Sequence, residues 1–257
     1  MATIYTVVSS KGGVGKSAIS NHVLSSAFTY LGRSFKIFEI DNNNSSNIFS
    51  HSAIIKDNTK NVKTSDKNIM AEIIFETLSS DNEIIIDAGG GDDALKVIDI
   101  VQGIGEANVK WIIPLNRNLA QLKNASDTFQ KINDPKNTLF ALNGYSSKET
   151  LEEDFIFYFG NKNLNIKSIK DTLKISHELA IPYTSYFEIA EQKGFTLHDL
   201  AAISKELDKN AAKSMFYEKF KDDKAAFLQA WGDYRLSENA SVVLDEIIAN
   251  FLPFFRK

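Results

Sequence analysis

The chain opens on a short β-rich run, Ile4-Tyr5-Thr6-Val7-Val8, that leads straight into Ser9-Ser10-Lys11-Gly12-Gly13-Val14-Gly15-Lys16-Ser17 and then into a pattern of helical period. A glycine arch between a strand and a helix constrains the fold more than any bulk property does. Glycines let successive backbone N–H groups turn inward toward one anion, and the helix that follows adds the partial positive charge of its N-terminus. In that setting Lys16 is placed to neutralise terminal phosphates, and the Ser17 hydroxyl to ligate Mg²⁺.

The remainder of the chain supports the same architecture. Short apolar runs at Thr3–Val8, Ser34–Ile40, Glu83–Asp87, Val109–Pro114 and Thr138–Leu142 alternate with helical patterns at Lys16–Leu31, Ile69–Ser79, Asp92–Gly105 and Leu119–Ile132. Gly32 stands where a helix-ending glycine belongs. Runs such as Ile84-Ile85-Ile86 and Trp111-Ile112-Ile113 are apolar without alternation, which suits strands covered on both faces. These features predict an α/β fold, a doubly wound and mostly parallel sheet of the P-loop NTPase kind. Asn42–Asp66 is rich in Asn, Ser, Lys and Asp and is expected to be a long loop. Beyond Leu197 the sequence is helical to Asn250. We therefore expect residues 1–200 to form the nucleotide domain and residues 201–257 a C-terminal helical appendage packed on it.

Several classes are excluded early. The 257 residues carry 29 Lys+Arg against 33 Asp+Glu, a net charge of −4, so attraction of the whole surface to nucleic acid is ruled out, though a local basic patch is not. With no cysteine, disulfides, thiolate nucleophiles and Cys-bound zinc are ruled out. The four histidines, His22, His51, His177 and His198, lie in different elements without ligand spacing and are read as structural. No signal peptide and no run of about 18 apolar residues is visible, so a cytoplasmic location is expected.

Two carboxylates end strands where ligands of open α/β sheets bind. Asp41 closes Phe38-Glu39-Ile40-Asp41, and Asp87 closes Glu83-Ile84-Ile85-Ile86-Asp87 ahead of Ala88-Gly89-Gly90-Gly91. Both are candidates for the metal and its water.

The loop departs from the common phosphate-loop pattern, since Ser10 occupies the first glycine position and Lys11 is an additional lysine. Lys-Gly-Gly-Val-Gly-Lys-Ser resembles the deviant Walker A motif of the ParA/MinD family of ATPases. The resemblance covers roughly Met1–Ala201, with the phosphate loop its specific part. It implies ATP and Mg²⁺ as cofactors, bound by Lys11, Gly12, Gly13, Val14, Gly15, Lys16, Ser17 and Ala18. It implies that Lys11 reaches the phosphates held by a second subunit, making a homodimer on ATP binding, and that Lys11, Lys16 and Asp41 are catalytic. Asp41 matches the family's switch I aspartate, and Ser17, Asp41 and Asp87 would form the metal set. Asn143, after Phe140-Ala141-Leu142, resembles the residue that reads the adenine edge; Pro182, in Ala180-Ile181-Pro182-Tyr183, resembles the segment flanking the base.

In that family hydrolysis is slow and stimulated by an adaptor protein, and DNA is bound non-specifically. Lys205, Lys209, Lys213, Lys219, Lys221 and Lys224 are candidates for such a DNA surface, diluted here by neighbouring acids. The aromatic C-terminus, Ile247 to Lys257, invites comparison with a membrane helix. Pro253 is expected to break such a helix, so packing on the body is preferred and a membrane partner is not expected.

The chain departs from the family in places. The stretch between Asp41 and Asp87 is shorter than the usual insert, as though a strand–helix piece were missing. Asn42-Asn43-Asn44 stands in place of Pro-Gln, and Asp87 is followed by Ala-Gly-Gly-Gly. No helix-turn-helix precedes the loop. The expected role is partition or positioning of plasmid or other mobile DNA. An accessory ATPase of a conjugal transfer or secretion apparatus and a P-loop small-molecule kinase or ligase are the alternatives.

Overall fold

A computed structural model of the chain describes residues 2–42, 48–105, 107–146, 148–175 and 178–255. Asn43, Asn44, His177, Arg256 and Lys257, which entered the reading above, lie outside the described residues. Strand β1 (Thr3–Val7) is followed by a helix in three parts: α1 (Lys16–Ala18), a π-helical segment (Ile19–Leu24) and α2 (Ser25–Tyr30). Then come β2 (Phe35–Ile40), β3 (Thr59–Val62), α3 (Ile69–Ser79), β4 (Glu83–Ala88), α4 (Asp92–Gln102), β5 (Asn108–Leu115), α5 (Leu119–Ile132) and β6 (Thr138–Tyr145). The short helices α6 (Leu151–Asp154), α7 (Ile156–Phe159) and α8 (Ile169–Leu173) precede β7 (Glu178–Pro182). Helices α9 (Tyr186–Gln192), α10 (Leu197–Glu206), α11 (Lys209–Phe220) and α12 (Lys224–Phe255) end the chain.

The seven strands form one sheet in the order β3-β2-β4-β1-β5-β6-β7, and every pairing is parallel. Alternate residues along each strand serve opposite faces. Phe35 and Ile37 join Ile85 and Ile112 in one core with the π segment, α2 and α9, α10 and α12. Phe38 and Ile40 join Ile84, Ile86 and Ile113 in the other, beneath α3, α4 and α5. Because both faces are covered, the central strands show continuous apolar runs rather than alternation.

The first helix stops as its sequence predicts. Gly32 adopts φ +64°, its N–H donates to Thr29 O at 3.1 Å and the Arg33 N–H donates to Phe28 O at 2.9 Å. That pair of bonds caps the last carbonyls of α2 around a left-handed residue.

Three expectations are corrected. The stretch Asn42–Asp66 is not all loop: it contains β3, paired in parallel with β2 from Ile37↔Thr59 to Ile40↔Val62. With α3, the helix already expected at Ile69–Ser79, it forms a strand–helix unit between Asp41 and Asp87. The sequence hid it because β3 is an edge strand, Thr-Lys-Asn-Val, of which only Val62 is buried. Strand β7, not among the strands expected from the sequence, is the opposite edge, and proline suits its last position. Pro253 does not break the last helix, which continues to Phe255 with Pro253 inside it. So close to the C-terminal end, the missing N–H forfeits a single helical bond.

Helix α12 is 32 residues long. Ala240, Leu244, Ile247, Ile248 and Phe251 recur on one face and fill the same core as Ile37 and Ile85. Its N-terminal half packs with α11 around a smaller cluster of Ala212, Phe216 and Tyr234. Among the described residues no helix is long and apolar enough to cross a membrane.

Candidate functional site

The carboxyl ends of β1, β2, β4, β5 and β6 open on a cleft of about 910 Å³. The phosphate arch forms its floor, with Gly12, Gly13, Val14, Gly15, Lys16, Ser17 and Ala18 all lining it. Gly13 and Gly15 hold φ of +71° and +93°, a region that side-chain-bearing residues rarely adopt. Gly15 is crowded as well: a Cβ there would lie 2.1 Å from Nδ2 of Asn143.

Lys16 is buried, and its Nζ donates to the backbone carbonyl of Lys11 at 3.1 Å, closing the arch on itself. Burial lowers its pKa, while Asp87 and Asp41 pull it back up. A desolvated ammonium that feels two carboxylates is suited to an incoming polyanion. Lys11 differs: its side chain is exposed and lies outside the cleft lining.

Asp87 lies between Val7 and Glu39 in the sheet register, on the face that carries Ile85. It is buried, and its Oδ1 makes no hydrogen bond. Burial pushes its carboxyl up to about 7, and the adjacent Glu39 adds to this, whereas Ser17 and Lys16 pull it down. An orphaned buried carboxylate oxygen beside a serine hydroxyl at a phosphate arch fits a divalent cation. Among the described residues no group of three or more acidic or histidine side chains forms a complete metal cage. A cation such as Mg²⁺ would therefore complete its shell from phosphate oxygens and water.

Asp41 also lines the cleft. Its N–H donates to Val62 O of β3 at 3.2 Å, and the Gly89 N–H donates to Ile40 O at 2.8 Å. The glycine run after Asp87 wraps back over the arch. The Gly91 N–H donates to Ser10 O at 2.8 Å, and a Cβ on Gly90 would sit 3.5 Å from the Gly12 nitrogen. Asn143 and Pro182 are in the cleft wall. The Asn143 Nδ2 donates to Val14 O at 3.1 Å, so its amide braces the phosphate loop and keeps Oδ1 and one N–H for a base.

All sequence-derived site residues except Lys11 thus line one cleft. The sequence reading passed over others there. Glu39 shares the Asp41 face two residues earlier and accepts from Asn21 Nδ2 at 3.1 Å; burial raises its pKa. Period two along β2 would have found it. Asn116, Arg117 and Asn118 follow the β5 apolar run at its carboxyl end, the place where ligands bind in such sheets. Arg117 is fixed there by Asp154 at 2.9 Å and by the Gly144 carbonyl. Phe187, Glu188 and Glu191 come from α9. The π segment reaches them through His22, which stacks on Phe187 at 4.8 Å, lies 3.2 Å from Glu191 and accepts the Leu197 N–H at 2.9 Å.

Solved structures share this fold. The MinD cell division protein of Aquifex aeolicus superposes with a TM-score of 0.52 at 16% identity, over 79% of this chain and 90% of that one. The MinC:MinD complex from the same organism gives 0.52 at 14% identity, over 80% and 90%. Apo McdA from Cyanothece gives 0.51 at 12% identity, over 91% and 99%. No family model matches the sequence, and no curated protein matches it. At these identities the likeness is one of fold.

Proposed function

We propose that this chain, which has the fold of the MinD/ParA-type ATPases, is an ATPase that binds Mg²⁺–ATP in the cleft and closes into a homodimer around the nucleotide. One observation supports this above others: the two lysines of the arch are divided between two environments. Lys16 is buried with its Nζ on the Lys11 carbonyl, while the Lys11 side chain is exposed and is not part of the lining of its own cleft. A lysine so placed suits the phosphates of a second subunit, where its charge would act as an arginine finger does.

In this reading the arch amides and Lys16 bind the β- and γ-phosphates, and Ser17 and Asp87 hold the cation. Bound Mg²⁺ supplies charge neutralisation across the phosphates. Asp41 orients the attacking water, and its N–H bond to β3, with the Gly89 bond to the neighbouring Ile40 carbonyl, holds it for that task. Asn143 braces the loop, and Pro182 flanks the base. Hydrolysis is slow until an adaptor protein stimulates it, and the dimer positions plasmid or mobile-element DNA. The six lysines from Lys205 to Lys224 are the candidate surface for non-specific DNA.

Light scattering with a non-hydrolysable ATP analogue and Mg²⁺ tests the assignment. Wild type should double in mass, and Lys11→Ala should bind the analogue yet stay monomeric. A Lys11→Ala dimer, or a wild-type monomer at saturating analogue, overturns the trans role. A salt-dependent shift of random-sequence DNA that needs ATP separates the DNA role from service to a secretion complex.

A further inference from the structure

Asp93 is a buried carboxylate that the mechanism above leaves without a task. It stands in the first turn of α4, directly after the glycine run that leaves Asp87. Its carboxylate does not turn to solvent. Oδ2 accepts the Asn42 backbone N–H at 3.2 Å, and Oδ1 accepts the Asn42 side-chain amide at 2.6 Å. Oδ1 also accepts the Thr64 hydroxyl at 2.9 Å. The nearest cation, Lys96, is 4.0 Å away on the same helix.

These bonds join three segments at one point. Asn42 immediately follows Asp41 at the exit of β2. Thr64 follows β3, whose Val62 carbonyl takes the Asp41 N–H. Asp93 itself follows β4 and its glycine turn. Gly89 makes the approach possible: a Cβ there would meet Asp41 Cγ at 3.0 Å and Asp93 Cβ at 3.1 Å. Asp41 and the strand that carries Asp87 are thus tied together through Asp93.

We propose that Asp93 is a positioning residue for hydrolysis: by holding Asn42 and Thr64 it fixes Asp41 relative to Asp87. This rests on the ATPase reading for its kinetic consequence, but the tether itself is independent of nucleotide. Asp93→Asn replaces one acceptor oxygen with a donor that meets a donor on Asn42, since each carboxylate oxygen accepts from that residue. Such a change displaces Asp41 without touching the phosphate arch.

The test uses the full chain. Asp93→Asn should lower kcat about tenfold with KM for ATP nearly unchanged, because misplacing a reacting group by a fraction of an ångström costs rate rather than binding. Asn42→Ala should do the same, and the double variant should be no worse than the poorer single one, since both break one tether. Hydrogen exchange without nucleotide gives a second readout: the amides of Asn42 and Thr64 should exchange faster in Asp93→Asn. If kcat is unchanged, if only Tm falls as it would on losing a helix-terminal acid, or if the two losses multiply, the proposal is wrong. If wild type does not hydrolyse ATP, the ATPase reading fails, and unchanged exchange at Asn42 would then overturn the tether itself.

Discussion

Asn143 and Gly15 are in contact across the phosphate arch: the asparagine amide occupies the space that a side chain at position 15 would need, and bonds the adjacent Val14 carbonyl at 3.1 Å. Two demands thus fall on Gly15, a left-handed φ of +93° and no Cβ. Gly15→Ala should abolish nucleotide binding. The left-handed backbone alone costs about 1–2 kcal/mol for a residue with a side chain, and the clash moves the arch. Adding Asn143→Ala to Gly15→Ala should restore part of the affinity by removing the clash. Titration of a fluorescent ATP analogue into both variants checks this; equal loss in the two would assign the whole effect to backbone strain.

Asn143→Ala alone distinguishes bracing from base reading. A brace serves every nucleotide, so affinity for ATP and GTP should fall by the same factor. A fall confined to ATP would instead assign the amide to the adenine edge.

Lys16→Ala should remove nucleotide binding while leaving the fold intact. Its ammonium is desolvated in the cleft, and the cost of that burial offsets the single hydrogen bond it makes to the Lys11 carbonyl. Calorimetry should find Tm no lower than wild type, with no heat of ATP binding. Retained affinity would end the assignment of the arch.

The buried Asp87 predicts an unusual pH dependence. Its carboxyl titrates near 3.8 in the unfolded chain and is pushed up to about 7 in the folded one. Between these values the folded chain holds a proton that the unfolded chain has released. Stability of the metal- and nucleotide-free protein should therefore fall as pH rises through that window and level off above it. Asp87→Asn should remove that slope. Denaturant midpoints from pH 4.5 to 7.5 in chelator, about the span of the shift, measure both; parallel curves for the two proteins would contradict it.

Phe251 is fully buried near the end of α12, in the core shared with Ile37 and Leu244. Phe251→Ala should cost about 3–5 kcal/mol, as truncation of a buried aromatic does. Urea unfolding should show a single transition shifted to lower denaturant. An unchanged midpoint would mean that the last helix contributes little to the body.

What could be read in advance follows from where the information lies. The arch, its two lysines, the strand-end carboxylates Asp41 and Asp87, and the central strands are local: each is a short run whose residue types state their own environment. Strand β3 was not legible, because Thr59, Lys60 and Asn61 sit on an edge and carry no apolar signal. Backbone bonds to β2 define it, and those depend on the neighbour. Asp93 was equally silent, since an acid in the first turn of a helix is commonplace; its function depends on Asn42 and Thr64 arriving from two other strands.

The sequence by itself determined that a strand must run into a phosphate arch and a helix, because only glycine accepts those backbone angles and only a lysine there answers an anion. The tertiary structure decided which groups share the cleft: that Lys16 turns in while Lys11 is left outside, that Asn143 bonds the arch, and that Asp41 is tied to the strand of Asp87. Those relations join residues far apart along the chain, and the parallel sheet that brings them together carries no mark of its register in any one segment.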